Sequence, residues 1–391
     1  MKIDFIWKRR GLLWIAYSIL FLWASCWVGY TFLTAYGQVV KESNNPALQS
    51  EKHFPADIVK KSVKVEKTKF EGWENCWRIT NGEVELIAVA DIGPRIIRFG
   101  FVGEENQFYV SPDDLGLKGG GNFRLYGGQR FWIAPESART SYPDNFACTV
   151  DADADGVTLT APPEIWDLNL RAKVKTAEEV EAKKNDSNYL AAFGVQKQMT
   201  VKMNADGQVT VTHKAFNRRN SPLRMAPWGL TVLAPGGFAI LPNAPDAPHD
   251  GAHLLPARSI ITWSYTKLTD PRLLLTDKYI LVKQDSSAKA ATKIGISNGM
   301  EWAAYARNDY LFVKSVEYID EAQYPDRGSS TEIYTDSRIL EFETLGPWIT
   351  LKPGASVSHT ELWRLFKSVK VAPSQESIDQ VVLPLVQPKS E

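Results

Sequence analysis

The sequence lacks any excess of basic residues. Lysine plus arginine and aspartate plus glutamate each number 45, so the formal net charge is zero. A nucleic-acid-binding domain needs a surplus of positive charge to contact the phosphate backbone. We therefore expect no nucleic-acid partner.

Cysteine is also scarce, with three residues in the whole chain. Cys26 lies within a hydrophobic run, so Cys76 and Cys148 are the only pair that could form a disulfide in an oxidising compartment. The alternative is a pair of buried free thiols, which behave as small apolar side chains. The sequence leaves both states open.

Charged residues are absent from positions 11–40. A helix of about 20 apolar residues spans a bilayer, so we predict a transmembrane anchor over residues 11–35. Three basic residues, 8–10, precede this run, whereas only Lys41 follows it closely. The positive-inside rule therefore predicts a cytoplasmic segment 1–10 and a single-pass protein whose domain faces the periplasm or the extracellular space.

A cleaved signal peptide is the alternative interpretation of the same run. Ala35-Tyr36-Gly37 supplies small residues at the spacing that signal peptidase needs. The apolar run is longer than the roughly 7–15 residues of a usual signal core, which favours a retained anchor. Both interpretations export the domain.

Helical periodicity is rare after the anchor. Only residues 177–184 have a helical pattern, as a charged surface insertion, and no repeat of 20–50 residues indicates a propeller or solenoid. Short β-type runs recur instead between turn residues, which predicts a sheet sandwich. The clearest hairpin joins 199–203 to 209–213, each arm alternating at period two around an Asp-Gly turn.

Composition divides the exported part into three regions. Residues 36–69 are polar with little apolar periodicity, as expected of a stalk. The folded domain is predicted over 70–368. Residues 369–391 are polar and contain several prolines, so we expect a loosely ordered tail.

Several short motifs follow one another along the domain. They are Asn81-Gly82, Asp91-Ile92-Gly93-Pro94-Arg95-Ile96, Gly127-Gly128-Gln129-Arg130-Phe131-Trp132, Ala226-Pro227-Trp228-Gly229, Tyr324-Pro325-Asp326, Glu332-Ile333-Tyr334, Leu351-Lys352-Pro353-Gly354 and Glu361-Leu362-Trp363-Arg364. Their order and spacing resemble the galactose mutarotase-like (aldose 1-epimerase-like) superfamily, in particular an uncharacterised branch of it. The resemblance covers roughly residues 72–366.

This resemblance implies a mainly β fold, the galactose mutarotase-like β-supersandwich, built as one domain. It also implies a carbohydrate ligand in a cleft on the concave side. Independently of the family, the β pattern of the sequence agrees with this fold.

A mutarotase needs a base for the anomeric hydroxyl and an acid for the ring oxygen. The resemblance makes Glu332 the candidate base, because it precedes the Leu-Lys-Pro-Gly turn at a comparable spacing. Glu343, with Glu341 on the same strand, is the fallback. The alternative is that Glu332 is a structural or strand-surface carboxylate.

The acid is missing from its expected place. The strand in which mutarotases carry a histidine reads Ala226-Pro227-Trp228-Gly229, and Gln129 replaces the histidine expected after the glycine pair. His213, on a hairpin arm, is interpreted as a packed or solvated side chain. An arginine, a tyrosine or a water relay is then the substitute that an active enzyme requires.

Four residues are candidates for substrate binding. Arg95 and Arg130 offer planar guanidinium groups to hydroxyls or a carboxylate, and Trp132 and Trp228 can stack on a sugar. Their alternatives are a structural salt bridge and core packing. We predict no cofactor and no metal, since nearby prolines keep the loop around His249 and His253 from forming a helical metal site.

The leading hypothesis is a membrane-anchored, extracytoplasmic carbohydrate-binding protein whose catalytic activity is left open. One alternative is an aldose 1-epimerase-like isomerase acting on a sugar or uronate. Others are a polysaccharide lyase or hydrolase and a non-catalytic scaffold on the same fold.

Overall fold

The computed structural model describes residues 62–184 and 192–387. The predicted cytoplasmic segment 1–10, the predicted span 11–35 and most of the predicted stalk lie outside the described residues. Within the described ranges, no helix is both long and apolar enough to cross a bilayer. The anchor therefore stays a prediction from the sequence.

Twenty-one β-strands make up most of the described chain. The first ten are β1 (Lys64–Phe70), β2 (Trp73–Thr80), β3 (Val84–Val89), β4 (Arg95–Phe101), β5 (Gly128–Ala134), β6 (Thr149–Ala152), β7 (Gly156–Thr160), β8 (Val195–Met203), β9 (Val209–Asn217) and β10 (Leu223–Leu233). The others are β11 (Phe238–Pro242), β12 (Ile260–Thr262), β13 (Leu273–Leu275), β14 (Tyr279–Lys283), β15 (Thr292–Ile296), β16 (Trp302–Arg307), β17 (Tyr310–Ser315), β18 (Thr331–Thr335), β19 (Leu340–Leu345), β20 (Ile349–Leu351) and β21 (Ser356–Lys367).

These strands form two antiparallel sheets. Sheet A has eleven strands in the order β1-β2-β3-β4-β5-β10-β19-β18-β15-β12, with β20 paired to β10. Sheet B has ten strands in the order β13-β14-β11-β16-β17-β21-β9-β8-β7-β6. Both sheets combine strands from early and late parts of the chain. The predicted mainly β, two-sheet architecture is therefore confirmed.

The hairpin of β8 and β9 illustrates how the sequence pattern produces this architecture. Its pairs include Met199 with His213 and Met203 with Val209, as predicted. Buried and partly buried residues alternate along β9, so one side of the strand enters the core. In the turn, the Asn204 side chain accepts hydrogen bonds from the Asp206 and Gln208 main-chain N–H groups, at 3.1 and 2.9 Å.

The core lies between the two sheets. Its centre is an aromatic cluster of Phe99 from β4, Phe108, Phe312 from β17 and Trp363 from β21, whose ring centroids are 5.6 to 6.0 Å apart. All of these pairs meet edge to face or tilted, and aromatic quadrupoles favour edge-to-face contacts. The cluster joins sheet A to sheet B.

Helices are few in the described chain. A 3-10 turn spans Pro112–Asp114, and α1 (Leu168–Lys173) and α2 (Ala177–Lys183) follow β7. The Thr176 hydroxyl caps α2 by accepting a hydrogen bond from the Glu179 N–H group. The helix predicted over residues 177–184 is therefore confirmed, whereas α1 was not predicted.

Both ends of the ordered domain extend beyond the predicted limits. Strand β1 begins at Lys64 and pairs with β2, so the fold starts before the predicted boundary at residue 70. After β21, α3 (Gln375–Ser377), a π-helical turn (Ile378–Val382) and α4 (Leu383–Val386) follow.

The prediction of a loosely ordered tail is wrong for this C-terminal segment. Ile378, Val382 and Val386 are buried against residues of β14, β16 and β17 on the outer side of sheet B. Their spacing of four residues places them on one helical face. The surrounding prolines and polar residues concealed that face in the sequence.

Candidate functional site

The strands of sheet A carry most of the predicted site residues on one face. Cross-strand pairing aligns Arg130 of β5, Leu230 of β10, Glu343 of β19 and Glu332 of β18 in one row. Directly opposed residues of neighbouring antiparallel strands point to the same side of a sheet. Phe131, next to Arg130, points the other way and belongs to the core between the sheets. The row thus lies on the outer face of sheet A, called the site face below.

Trp132 and Trp228 are opposed on the same face. Their ring centroids are 5.6 Å apart with an interplanar angle of 70°. Trp132 Nε1 donates to the Tyr142 carbonyl oxygen at 3.0 Å, and Trp228 Nε1 donates to Glu343 Oε2 at 2.8 Å. The two rings are only 5% and 3% exposed, so they form the floor of the site face.

Aromatic side chains from loops border this floor. Phe123 is 54% exposed, and its ring centroid lies 6.0 Å from that of Trp132. Tyr265 is 44% exposed, in the same loop as Trp263. These three residues were missed in the sequence because loop aromatics follow no periodic pattern. Their rings supply the apolar surface on which the C–H face of a sugar can pack.

Arg130 lies beside these rings with unused hydrogen-bonding capacity. Its Nη2 donates to Glu341 Oε1 at 2.9 Å, and its Cζ lies 4.3 Å from the Trp132 ring centroid. Nε and Nη1 are buried and have no acceptor among the described residues. A guanidinium carries five N–H donors, so most of this donor set is unpaired.

Lys293 of β15 connects the two predicted catalytic candidates. Its Nζ lies 2.7 Å from Glu332 Oε2 and 2.8 Å from Glu343 Oε2. The same ammonium lies 4.7 Å from the Trp263 ring centroid and 5.1 Å from that of Trp228. Lys293 was missed in the sequence. The available signal was a lysine within the apolar strand segment Lys-Ile-Gly-Ile, where a buried charge needs a partner.

Burial and charge shift the proton affinities of this group. Burial raises the pKa of Glu343 to about 8, Lys293 opposes the shift, and Glu332 and Glu341 reinforce it. Burial likewise raises the pKa of Glu332, again opposed by Lys293. Burial favours the neutral amine of Lys293, but Glu343 and Glu332 outweigh it and hold its pKa above the usual range.

Arg95 begins β4 beside Arg130, because its neighbour Ile96 pairs with Gln129 of β5. Its Nη1 donates to the Gly127 carbonyl oxygen at 2.5 Å, and the residue is 1% exposed. A Cβ atom on Gly127 would lie 1.9 Å from the Tyr109 carbonyl oxygen, so only glycine fits there. The hydrogen bonds of Arg95 therefore go to the main chain near Gly127, and its predicted contact with substrate stays untested.

Gln129 points into the core, although the resemblance leads to a histidine acid at this position. Its Nε2 lies 2.9 Å from His213 Nε2 and 3.2 Å from Glu361 Oε2. Lys314 Nζ lies 3.1 Å from Glu361 Oε1. Burial favours neutral Glu361, but Lys314 and His213 outweigh it and hold its pKa well below the usual range. A side chain at position 129 faces this interior network rather than the site face.

No group of three or more metal-ligating His, Cys, Asp or Glu side chains occurs in the described part of the chain. His253 Nδ1 instead lies 2.8 Å from Asp250 Oδ1, in an exposed loop. Cys76 and Cys148 are free thiols in this structure. Burial raises the pKa of Cys76 to about 12, which keeps its thiol protonated.

Comparison with known proteins identifies the fold. No protein-family model and no curated protein sequence matches this chain. A Klebsiella pneumoniae structure described as a candidate aldose 1-epimerase matches with a TM-score of 0.50 and 9% identity, covering 84% of this chain and 88% of that one. Galactose mutarotase-like proteins from Clostridium acetobutylicum and Lactobacillus casei match at TM-scores of 0.44 and 0.42, with 12% and 10% identity. These two matches cover 78% and 75% of this chain, and 99% and 100% of those chains.

The chain therefore has a galactose mutarotase-like fold, as the resemblance implies. Identities this low establish the fold alone. Function has to be argued from the site.

Proposed function

We propose that this protein binds a carbohydrate on the site face of sheet A and that residues 11–35 anchor it in a membrane, with the domain on the periplasmic or extracellular side. A solved structure with this fold is described as a candidate aldose 1-epimerase. The site face adds the two surfaces that a sugar needs, namely aromatic rings for its C–H groups and charged groups for its hydroxyls.

The observation that carries the binding proposal is the incomplete pairing of Arg130. Buried polar groups in proteins are almost always hydrogen-bonded, because an unpaired buried donor costs free energy. Arg130 Nε and Nη1 break this rule at the edge of an aromatic floor. Sugar hydroxyl oxygens, or the carboxylate of a uronate, are acceptors that would complete the pairing.

The test is glycan-array binding of the full-length protein, followed by calorimetry with the best ligand. Arg130→Ala should weaken binding by about 10- to 100-fold, the range expected for lost hydrogen bonds to a charged group. Trp228→Ala should weaken it as well, because it removes part of the floor.

Arg78→Ala is the matched control for the arginine variant. Arg78 also lies on sheet A and forms ion pairs, at 3.0 Å to Glu66 and 2.7 Å to Glu85, but its strand β2 is three strands away from the β5 strand of Arg130. Its removal should leave glycan binding unchanged. Equal affinities for the wild type and the Arg130 variant would contradict the proposal.

Membrane anchoring has a separate test. If residues 11–35 are retained as an anchor, the full-length protein stays in the membrane pellet after alkaline carbonate extraction, and added protease digests the domain only from the non-cytoplasmic side. Release into the supernatant as a shortened chain would instead support the cleaved signal peptide.

An aldose 1-epimerase-like isomerase is the second candidate function. The observation that favours it is the close approach of Glu332 and Glu343, two carboxyl groups of raised pKa, on the face that bears Arg130. Polarimetry of freshly dissolved sugars or uronates tests this candidate. Rates at the uncatalysed background in both the wild type and Glu332→Gln would reject it.

A further inference from the structure

A pocket of about 280 Å³ lies at one end of sheet B, where β8 begins and β9 ends. Its volume is close to the lower end of the range for small-molecule sites, about 300 Å³. Gln196 of β8, Asn217 of β9, Arg218 and Arg219 after β9, and Lys184 at the end of α2 line it. None of the site-face residues does so. The pocket is therefore separate from the proposed carbohydrate site.

The pocket carries uncompensated positive charge. Three of the side chains that line it are basic, and none of the described residues that line it is acidic. Lys184 forms an ion pair with Glu181 of the same helix. Neither Arg218 nor Arg219 forms an ion pair with a described residue. Two of the three positive charges thus lack a counterion within residues 62–184 and 192–387.

A buried amide holds the Arg218 guanidinium in one orientation. Arg218 Nε and Nη2 both donate to Gln196 Oε1, at 2.9 and 2.5 Å. Gln196 is only 8% exposed, and its Nε2 donates to the Ala161 carbonyl oxygen at 2.9 Å. The amide is therefore fixed by the main chain, and it fixes the arginine in turn. Arg218 Nη1 is left without an acceptor in the described part of the chain.

A second buried amide fixes the turn that carries Arg219. Asn217 is inaccessible to solvent, and its Nδ2 donates to the carbonyl oxygens of Ser221 and Leu351, both at 3.0 Å. Its Oδ1 accepts the Arg219 main-chain N–H at 3.0 Å. The Arg219 guanidinium lies 5.6 Å from the Trp166 ring centroid, a contact that attracts a cation. Its side-chain donors have no acceptor among the described residues.

These features select the chemistry of the ligand. The planar donor fork of arginine matches the oxygens of carboxylate, phosphate and sulfate groups. A carboxylate carries one negative charge and would leave one of the two positive charges uncompensated. A phosphate group carries about −1.5 to −2 at pH 7, which balances both arginines.

We propose that this pocket binds a phosphate or sulfate group through Arg218 and Arg219. Gln196 and Asn217 act as positioning residues, because they orient the two arginines before the ligand arrives and so lower the cost of binding. The same recognition applies to the free ion and to an organic ester of it. The inference goes beyond the proposed carbohydrate binding and does not depend on it.

Calorimetric titration of the full-length protein, in a nonionic detergent and low-chloride buffer, tests the site with three probes: inorganic phosphate, inorganic sulfate and glycerol 3-phosphate. We expect saturable binding at one site per chain, weakened by added chloride because salt screens exposed charges. Tighter binding of glycerol 3-phosphate than of inorganic phosphate would assign the site to an esterified group, and the reverse order to the free ion. Failure of all three probes to bind would overturn the proposal.

Three variants test the assignment of residues. Arg218→Ala and Arg219→Ala should each weaken binding by about 10-fold or more, the range for lost hydrogen bonds to a charged group. Gln196→Glu keeps the size of the side chain but supplies a carboxylate to Arg218, so it should weaken binding to a similar extent. Circular dichroism verifies that each variant is folded. Wild-type affinity in both arginine variants would overturn the proposal.

Arg224→Ala is the matched control. Arg224 is exposed and lies 4.2 Å from the Trp348 ring centroid, as Arg219 lies on Trp166, but it does not line the pocket. Its removal should leave phosphate binding unchanged, and a loss equal to that of Arg219→Ala would show nonspecific attraction and overturn the site. Arg130→Ala should also bind phosphate normally while it loses glycan binding. Failure of the pocket is thus distinguishable from failure of the proposed function.

Discussion

Two lysines of this domain each lie between two buried carboxylates, one in the interior and one on the site face. Lys197 of β8 contacts Asp144 at 2.5 Å and Glu164 at 2.9 Å. Lys293 contacts Glu332 and Glu343 at nearly the same distances, 2.7 and 2.8 Å. All six side chains are almost inaccessible to solvent. Burial and ion-pair distance alone therefore do not distinguish the two clusters.

The interior cluster is complete. Lys197 contacts both oxygens of Asp144, and one oxygen of Glu164 receives Lys197 while the other receives Trp166 Nε1 at 2.7 Å. Arg95 adds a second positive charge that lowers the pKa of Asp144 against the effect of burial. Every carboxyl oxygen has a donor, and the positive charges of Lys197, Arg95 and Arg130 all act on Asp144.

The site-face cluster is incomplete by the same criteria. One ammonium serves two carboxylates, and Glu343 Oε1 is buried with no hydrogen-bond partner among the described residues, whereas the Ser329 side chain reaches Glu332. A buried polar network that satisfies all its members stabilises a fold, whereas missing partners indicate a place for a ligand or a proton. A buried carboxyl oxygen that lacks a donor therefore identifies the candidate site, whereas buried charges occur in both clusters.

The largest expected effect is the loss of the interior lysine. Lys197→Met leaves two carboxylates buried without their ion-pair partner and should lower the free energy of unfolding by about 3–5 kcal/mol. Lys293→Met should cost less, roughly 1–3 kcal/mol, because burial raises the pKa of Glu343 to about 8, so this carboxyl group is mostly neutral at pH 7. Urea denaturation at neutral pH measures both values. Equal losses of unfolding free energy in the two variants would contradict the stated difference between the two clusters.

The next effect concerns the pH dependence of stability. The folded-state pKa of Glu343, about 8, exceeds its ordinary value of 4.5, so the folded protein binds more protons than the unfolded chain between these values. Stability should therefore fall as the pH rises through this range, by up to roughly 1.4 kcal/mol per pH unit. Glu343→Gln should remove this decline.

Glu164 provides the matched comparison for the pH experiment. Burial raises its pKa to about 7, so its contribution to the decline has the same sign and ends about one pH unit earlier. Stability curves of Glu343→Gln and Glu164→Gln between pH 5 and pH 9, measured by thermal unfolding, separate the two contributions. A wild-type slope retained in Glu343→Gln would show that Glu343 ionises normally.

The smallest effect is expected from the two tryptophans that donate to these clusters. Trp166→Phe removes the hydrogen bond to Glu164 Oε2 and should cost about 1–3 kcal/mol of stability. Trp228→Phe removes one of two donors to Glu343 Oε2 and should cost about 1 kcal/mol or less. It should also raise the pKa of Glu343 further. Calorimetric unfolding measures the loss of stability in both variants. A larger loss in Trp228→Phe than in Trp166→Phe would contradict the stated difference between the two clusters.

Much of the fold could be predicted because it depends on local patterns. Period-two alternation identified the β8–β9 hairpin, and the helical segment near residue 180 was also visible. The C-terminal helices could not be predicted, because their apolar face becomes evident only once sheet B is present to bury Ile378 and Val382. Local signals fail where a tertiary contact decides the structure.

Most of the candidate site residues were selected from the sequence alone, and their roles stay predictions. Arg130, Trp132, Trp228, Glu332 and Glu343 were selected from separate motifs, and pairing in sheet A brings them to one face. Lys293 was missed because no local pattern distinguishes a lysine in an apolar strand that will meet two carboxylates from one that reaches solvent. The lack of a histidine at position 129 was evident from the sequence. The inward direction of the Gln129 side chain was not.

The sequence by itself determined that this chain forms a β-sheet sandwich, because alternation and turn residues act over a few positions, and it indicated a membrane-spanning run by length and charge alone. Only the tertiary structure decided which charges meet. Strand register places residues far apart in the chain, such as Arg130 and Glu332, on one side of sheet A, while it turns Gln129 and Glu361 into the core. A one-residue change of register reverses the side to which a residue points, so the composition of the site depends on long-range pairing.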